Sequence, residues 1–196
     1  MDLFKYTYHG FTEALPPKIC NEIIDYGLSF KKQEGTILGN KQNKKRRNSF
    51  VTWIKPLWIY KEIRPYINDS NKLAGWDFDI DKPETFQFTE YQGSKKQHYG
   101  WHTDAHLSQL KDKKWLGKYR KVSTTVLLNN PNEFEGGDLE FYEYSPYSSK
   151  NKLKTDHMKK QGTIINFPSF VFHRVTPVTK GTRYSLVVWH TGPKLK

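Results

Sequence analysis

The chain of 196 residues contains one cysteine, Cys20, and no apolar run approaching the roughly 20 residues of a membrane-spanning helix. One cysteine excludes an internal disulfide framework and any cysteine-rich zinc or iron–sulfur site. The opening residues, MDLFKYTYHGF, lack the uninterrupted apolar stretch of a secretory signal peptide. We therefore expect a cytoplasmic protein with no membrane partner.

Hydrophobic residues are also few, at 36%, but aromatic residues reach 15%, with 6 Trp, 12 Tyr and 12 Phe. Aromatic side chains bury large areas, so this composition excludes disorder of the whole chain and predicts an aromatic core. No internal repeat and no Pro-, Gly- or Ser-rich linker divides the sequence. A single domain over residues 1–196 is therefore expected.

Acidic residues are scarce relative to basic ones, with 20 Asp and Glu against 32 Lys and Arg, which gives a net charge of +12. This balance favours acidic partners such as nucleic acid. The charge is concentrated in two runs, Lys41–Arg47 and Lys111–Lys121. Such runs are usually solvated surface loops, so charge alone identifies no partner.

The first third of the sequence predicts two helices and two strands. A strand is expected over residues 3–8, followed by a helix that Leu15-Pro16-Pro17 opens and Gly27 stops. Alternating residues predict a second strand over 49–54, and apolar residues at helical spacing predict a helix over 59–73. These elements are expected to serve as scaffold.

From Phe78 onward, short segments rich in Thr, Val, Tyr and Phe alternate with Gly, Asn and Pro. This texture predicts a mainly β barrel or sandwich behind the two helices. Polar insertions are expected at 107–118 and 147–160. The expected strands are 85–91, 99–102, 122–128, 139–144, 162–167, 172–175 and 183–189.

His102 and Asp104 flank Thr103, and alternate side chains of an extended segment point to the same side. His173 lies in another predicted strand. Two histidines and one carboxylate form the facial set that holds non-haem Fe(II) with open coordination positions. The three residues are therefore candidate metal ligands, although a His-x-Asp triplet alone is common.

A competing interpretation pairs His102 with His106 on a helix, as in zinc peptidases. It lacks the adjacent Glu that such sites use as a general base, and Tyr99, Gly100 and Trp101 favour extended backbone. The four remaining histidines have no partner pattern and are expected at the surface or as supporting residues. They are His9, His98, His157 and His190.

Arg183 follows His173 by ten residues, on the next predicted strand. If a dicarboxylate chelates the metal by one end, a cation must hold the other end, and arginine does so with a two-pronged contact. Ser185 shares the face of Arg183, and its hydroxyl could bond the same carboxylate. The alternative role for Arg183 is a surface ion pair.

Together, His102-x-Asp104, His173 and Arg183 resemble the iron- and 2-oxoglutarate-dependent oxygenases, specifically the prolyl 4-hydroxylase-like branch with its bacterial and phage PKHD-type hydroxylases. Further segments resemble that branch in the same order along the chain and cover roughly residues 76 to 192. These segments are Trp76–Ile80, Tyr99–Asp104, Gly136–Phe141 and Gly162–Arg183.

The resemblance implies a double-stranded β-helix, or jelly roll, with N-terminal helical support over 1–75 and a core over 76–192. It implies a dioxygenase that couples decarboxylation of 2-oxoglutarate to succinate and CO2 with hydroxylation of a C–H bond. The implied cofactors are Fe(II), 2-oxoglutarate and O2, with ascorbate as an accessory. Related halogenases lack the carboxylate ligand, so the presence of Asp104 implies hydroxylation.

Site roles also follow from the resemblance. His102, Asp104 and His173 match the iron ligands, and Arg183 matches the residue that pairs with the distal carboxylate of 2-oxoglutarate. Tyr91, Tyr99 and Trp189 match aromatic residues around the cosubstrate pocket, with core packing as their alternative role. Where some prolyl hydroxylases carry a Tyr that assists the arginine, this chain has Leu127, so Ser185 is expected to supply the hydroxyl.

The branch implies that the acceptor is a prolyl residue of a protein or peptide. A nucleic-acid oxygenase or demethylase is an alternative that the net charge favours. Such demethylases usually carry a second arginine six residues after the first, where this chain has Trp189. A free amino acid or small molecule is a third acceptor class, and a binding module without chemistry is a fourth interpretation.

Overall fold

A computed structural model describes residues 5–37, 42–105, 117–143 and 152–194. These ranges contain two α-helices and fourteen strands, besides short 3-10 turns. In chain order they are β1 His9–Phe11, α1 Pro17–Leu28, β2 Gln33–Glu34, β3 Arg47–Asn48, β4 Phe50–Ile54, α2 Leu57–Leu73, β5 Lys82–Pro83, β6 Phe86–Gln92, β7 His98–His102, β8 Tyr119–Leu127, β9 Phe134–Gly136, β10 Leu139–Tyr142, β11 Lys152–Lys154, β12 Ile164–Pro168, β13 His173–Val175 and β14 Val178–Gly192.

The strands form two sheets with antiparallel pairing. The larger sheet has the order β1-β12-β8-β14-β6-β4-β2, and β5 and β9 also pair with β14. The smaller sheet has the order β11-β10-β13-β7-β3. This architecture confirms the predicted mainly β fold, a double-stranded β-helix with flanking helices.

Both helices pack against one face of the larger sheet. Ile59, Ile63 and Ile67 of α2 are buried at one-turn intervals, as their spacing predicted. They share a core with the sheet residues Phe88 and Leu186. A second apolar cluster, which contains residues of both sheets, fills the space between them. The larger sheet therefore separates two interiors.

The alternation of side chains along β14 assigns its residues to these two interiors. Leu186 and Val188 lie in the core with the helices. Arg183, Ser185 and Trp189 have the opposite parity and line a cavity between the sheets. One strand thus stabilises the helix–sheet interface with one face and supplies polar groups to a cavity with the other.

The N-terminal strand was predicted too early. Residues 5–8 are not a strand, and pairing with β12 begins at His9. The first helix continues to Leu28 and does not stop at Gly27. A Cβ at Gly27 would lie 2.5 Å from the ring of Phe88, so glycine serves there for close helix–sheet packing and not as a terminator.

The described parts of the two basic runs, residues 42–47 and 117–121, are not simply solvated loops. Arg47 is buried and forms strand β3, and Lys121 is buried within β8. Of the predicted polar insertions, residues 107–116 and 147–151 lie outside the described part of the chain. Residues 152–160 contribute strand β11 and the buried side chain of Met158.

Strands β1, β2 and β4 precede residue 75 and pair into the larger sheet. The division of the chain into a support over 1–75 and a core over 76–192 stays a prediction, as does the single domain. Neither helix in the described ranges combines the length and the apolar composition needed to cross a membrane.

The prediction that His190 is a surface or supporting residue was wrong. His190 is fully buried beside the ring of Tyr60, and in the described part of the chain neither ring nitrogen makes a hydrogen bond of normal geometry. Its even position on β14 points it toward the helices and away from the cavity. Burial lowers the pKa of His190 to about 4, so the imidazole is neutral in the folded protein at neutral pH.

This burial predicts an acid-sensitive fold. Because the folded pKa is below the ordinary value of 6.5, the unfolded chain binds the extra proton first as pH falls. The neutral, buried His190 adds its full contribution to the free energy of unfolding above pH 6.5. This contribution is lost as the pH falls toward 4, and the total loss is about 3 kcal/mol. Urea unfolding across this range should show a weaker pH dependence for His190→Phe than for the wild type, and equal pH dependence would contradict the prediction.

Candidate active site

The ladder between β7 and β13 brings His102 and His173 together, because the two residues are direct antiparallel partners. Asp104 follows β7 after one residue. Its backbone N–H donates to the carbonyl of Ser169 at 2.9 Å, which fixes the turn of the chain beyond the strand. All three predicted ligand residues are buried, each 6% exposed.

The three side chains converge on one point. Asp104 Oδ1 lies 3.7 Å from His102 Nε2, and Asp104 Oδ2 lies 3.5 Å from His173 Nε2. One donor atom from each residue can be chosen so that all lie within 4.8 Å of one another. Two imidazole nitrogens and one carboxylate oxygen are the donor set of non-haem Fe(II) sites, so the residues present fit that metal.

Backbone contacts fix the tautomer of each histidine. His102 Nδ1–H donates to the carbonyl of Gly100 at 2.8 Å, and His173 Nδ1–H donates to that of Val171 at 3.0 Å. Each ring therefore presents the lone pair of Nε2 to the cluster, as metal ligation requires.

The protonation states also suit a cation. Burial lowers the pKa of His102 to about 3, with a further contribution from His173. Burial raises the pKa of Asp104, but His173, His102, Arg120 and the hydrogen bond from Ser123 outweigh it and bring the pKa to about 2. At neutral pH the cluster therefore offers a neutral imidazole at His102 and an ionised carboxylate.

Neighbouring polar groups hold Asp104 in place. Ser123 Oγ donates to Asp104 Oδ2 at 2.7 Å and lies 3.0 Å from Ser169 Oγ. Arg120 donates to the backbone carbonyl of Asp104 at 3.3 Å and is itself held by two contacts with Glu84, at 2.7 and 2.8 Å. The carboxylate orientation therefore depends on a supporting network.

A pocket leads from the cluster to Arg183, which is only 5% exposed. Arg183 Nη1 donates to Ser185 Oγ at 3.0 Å, and no carboxylate of the described residues forms an ion pair with it, which excludes the surface ion pair. Burial lowers the pKa of Arg183. The carboxylate of Asp138 acts in the opposite direction, but it is already paired with Lys159 at 2.6 Å. Because a buried cation without a direct ion pair is costly, the pocket suits a ligand with a carboxylate at this end.

The predicted aromatic residues line the same pocket. The ring of Tyr91 lies 5.6 Å from the guanidinium carbon of Arg183, and the ring of Tyr99 stacks on His102 with centroids 3.5 Å apart. Trp189 packs on Arg120 at 3.9 Å. Leu127 is not part of this pocket and lines a neighbouring cavity.

Above the cluster, the pocket opens into a wide cleft whose floor includes His102 and Asp104. Trp53 and Phe172 line this cleft with 44% and 51% of their surface exposed. Arg46 is exposed beside them. A second molecule can therefore reach the cluster from the side opposite Arg183.

Sequence reasoning missed Arg47 as a site residue. Its guanidinium lies 4.4 Å from the ring of Tyr99 and donates to Gln87, Ser49 and the carbonyl of Thr36. Arg47 belongs to a basic run that the sequence predicts to be a solvated loop, so it was not singled out. Ser123 was missed as well, although its period-two spacing with Leu127 places both on one face of β8.

The competing zinc interpretation required a helix through His102 and His106. His102 instead ends strand β7, so that interpretation was wrong about the backbone, and His106 lies outside the described residues.

A facial set of two histidines and a carboxylate inside a double-stranded β-helix, with a buried arginine beyond it, defines the class of non-haem iron oxygenases. Residues 86–191, more than half of the chain, match the model of the 2OG-Fe(II) oxygenase superfamily. The chain belongs to this superfamily. Membership implies an oxygenase that uses Fe(II), 2-oxoglutarate and O2.

Curated relatives include a PKHD-type hydroxylase of Psychrobacter sp. (strain PRwf-1), 37% identical over 103 residues, which are 52% of this chain and 36% of that protein. The matching segment spans little more than a third of the length of such relatives.

Solved structures confirm the fold. A prolyl hydroxylase from Trichoplax adhaerens, in complex with a hypoxia inducible factor oxygen degradation domain peptide fragment, has a TM-score of 0.73 at 19% identity and covers 94% of this chain and 83% of that chain. A viral collagen prolyl hydroxylase from Paramecium Bursaria Chlorella virus-1, as a 2OG complex, has a TM-score of 0.63 at 23% identity and covers 95% of this chain and 96% of that chain.

The support of Asp104 by Ser123 yields a prediction for metal binding. Ser123→Ala removes the hydrogen bond that orients the carboxylate, so Fe(II) affinity should fall about 10- to 100-fold under anaerobic calorimetry. Ser94→Ala, at an exposed position, is the matched control and should bind like the wild type. Wild-type affinity in Ser123→Ala would show that this bond does not orient the ligand.

Proposed function

We propose that this chain hydroxylates a prolyl residue of a protein or peptide, with Fe(II), 2-oxoglutarate and O2 as cofactors. One observation carries the proposal. The His102–Asp104–His173 cluster lies between a buried pocket that contains Arg183 and a more exposed cleft with aromatic walls. A cosubstrate and an acceptor can thus approach the same metal from different sides.

In this proposal, His102 Nε2, Asp104 and His173 Nε2 hold the iron. Arg183 and Ser185 hold the distal carboxylate of 2-oxoglutarate. When bound, iron and 2-oxoglutarate supply the oxidation of an unactivated C–H bond by O2, with release of succinate and CO2.

The surrounding residues orient the ligands and exclude water. Tyr99 covers the face of His102, and Ser123 holds the Asp104 carboxylate. Tyr91 and Phe167 are buried along the pocket, and Trp189 lines both the pocket and the cleft. These contacts keep bulk water from the space between the cluster and Arg183.

A peptide acceptor suits the cleft for two reasons. The cleft is open along its length, and the exposed rings of Trp53 and Phe172 offer apolar surfaces for a pyrrolidine ring. The prolyl hydroxylase from Trichoplax adhaerens, which shares its fold with this chain, forms a complex with a peptide fragment. A free amino acid or small molecule would leave most of these surfaces uncovered.

A nucleic-acid acceptor is the second candidate, favoured by the exposed side chains of Lys44, Lys45 and Arg46 near the cleft. Lys44 is paired with Glu34 at 2.7 Å. Trp189 occupies the place of the second arginine of such demethylases. Ascorbate as an accessory cofactor and a cytoplasmic location complete the proposal.

The proposal predicts iron-dependent turnover that requires Asp104. The wild type should convert 2-oxoglutarate to succinate with Fe(II) and O2 and add one oxygen to proline-containing peptides, read by product mass. The activity of Asp104→Ala should be at least 100-fold lower than that of the wild type, because two histidines alone hold Fe(II) weakly. Failure of the wild type to bind Fe(II) and 2-oxoglutarate would leave the binding-module interpretation.

Charge neutralisation separates the two acceptor classes. Lys45→Ala with Arg46→Ala should change hydroxylation of an uncharged proline peptide less than about threefold, because exposed charges contribute little to binding a neutral partner. Arg47 is left intact because it is buried in the wall of the cleft. Loss of activity on methylated oligonucleotides, largest at low salt and smaller as the salt concentration rises, would instead support the nucleic-acid acceptor.

A further inference from the structure

The end of the pocket at Arg183 is not closed by the surrounding wall. A second cavity shares Thr125, Leu139 and Arg183 with the pocket and is otherwise lined by residues such as Leu127 and Gly137. The side chain of Arg183 therefore borders two spaces. A carboxylate beside it needs further donors to be held at one position.

Beside Arg183, the hydroxyl groups that line the pocket belong to Ser185, Thr125, Tyr91 and Tyr99. Ser185 accepts a hydrogen bond from Arg183 and retains its own hydroxyl hydrogen. Leu127, its direct partner across the ladder, has no polar side-chain atom. A carboxylate can accept about four hydrogen bonds, so two groups of the guanidinium and the hydroxyl of Ser185 leave room for a further donor.

Thr125 offers an uncommitted hydroxyl beside this end of the pocket. It lies on β8 between Ser123 and Leu127, at steps of about 6.6 Å along the same face of the strand. Its side chain therefore lies between the serine that supports Asp104 and the region of Arg183. Its hydroxyl has no hydrogen-bond partner among the described residues, and the residue lines both cavities.

We propose that the hydroxyl of Thr125 donates a hydrogen bond to the distal carboxylate of 2-oxoglutarate, as a third donor beside Arg183 and Ser185. This inference rests on the proposed function. Some prolyl hydroxylases carry a Tyr at the position of Leu127. In this chain the hydroxyl of Thr125, two residues earlier on the same strand face, would take the place of that Tyr hydroxyl. Thr125 thereby selects cosubstrates that end in a carboxylate.

The test compares two ligands of equal chain length. Calorimetry under anaerobic conditions measures the binding of 2-oxoglutarate and of 2-oxopentanoate, which has a methyl group in place of the distal carboxylate, to the Fe(II)-loaded protein. Thr125→Val should lower the affinity for 2-oxoglutarate about tenfold or more and change the affinity for 2-oxopentanoate less than about twofold. Hydrogen bonds to charged groups are stronger than those between neutral groups.

Two further variants control the experiment. Thr125→Ser keeps the hydroxyl and should bind 2-oxoglutarate like the wild type. Thr179→Val makes the same chemical change at an exposed position and should have no effect. If Thr125→Val does not fold by circular dichroism, Thr125→Ala repeats the test without added bulk.

The outcomes separate this inference from the proposed function. Unchanged binding of 2-oxoglutarate by Thr125→Val, or equal weakening of both ligands, would overturn the role of Thr125 and leave the proposed function intact. A wild type that does not bind 2-oxoglutarate would overturn both, and only that result concerns the proposed function.

Discussion

The register between β7 and β13 is the constraint on which the site depends. Direct pairing of His173 with His102 places both imidazoles on one face, and the turn fixed by Ser169 brings Asp104 to the same point. A shift of one residue would send His173 to the other face of the sheet and separate the donors. The cluster is therefore a product of sheet pairing, and its supporting hydrogen bonds refine an arrangement that the ladder already makes.

The same period of two organises the larger sheet. Even positions of β14, such as Leu186, pack with the helices, and odd positions, such as Arg183, face the pocket. Stability and chemistry thus use opposite faces of one strand. His190 shows the cost of this arrangement, since its even position places a polar ring in an apolar interior, where the described residues give it no hydrogen bond of normal geometry.

Much of this could be predicted from the sequence because it depends on local patterns. The helical stripe of α2, the alternation of the strands and the spacing of His102 and Asp104 are local. Arg47 and Gly27 were misjudged because their environments come from distant segments, the ring of Tyr99 and the ring of Phe88. The sequence pattern does not indicate a role for Thr125, because the role proposed for it depends on two cavities that exist only in the folded protein.

A crystal structure of the chain with Mn(II) in place of Fe(II) and with 2-oxoglutarate would test the central claim most directly. We expect anomalous density for the metal between His102 Nε2, Asp104 and His173 Nε2, and the distal carboxylate of 2-oxoglutarate against Arg183. Metal bound elsewhere, or 2-oxoglutarate outside this pocket, would contradict the assignment of the site.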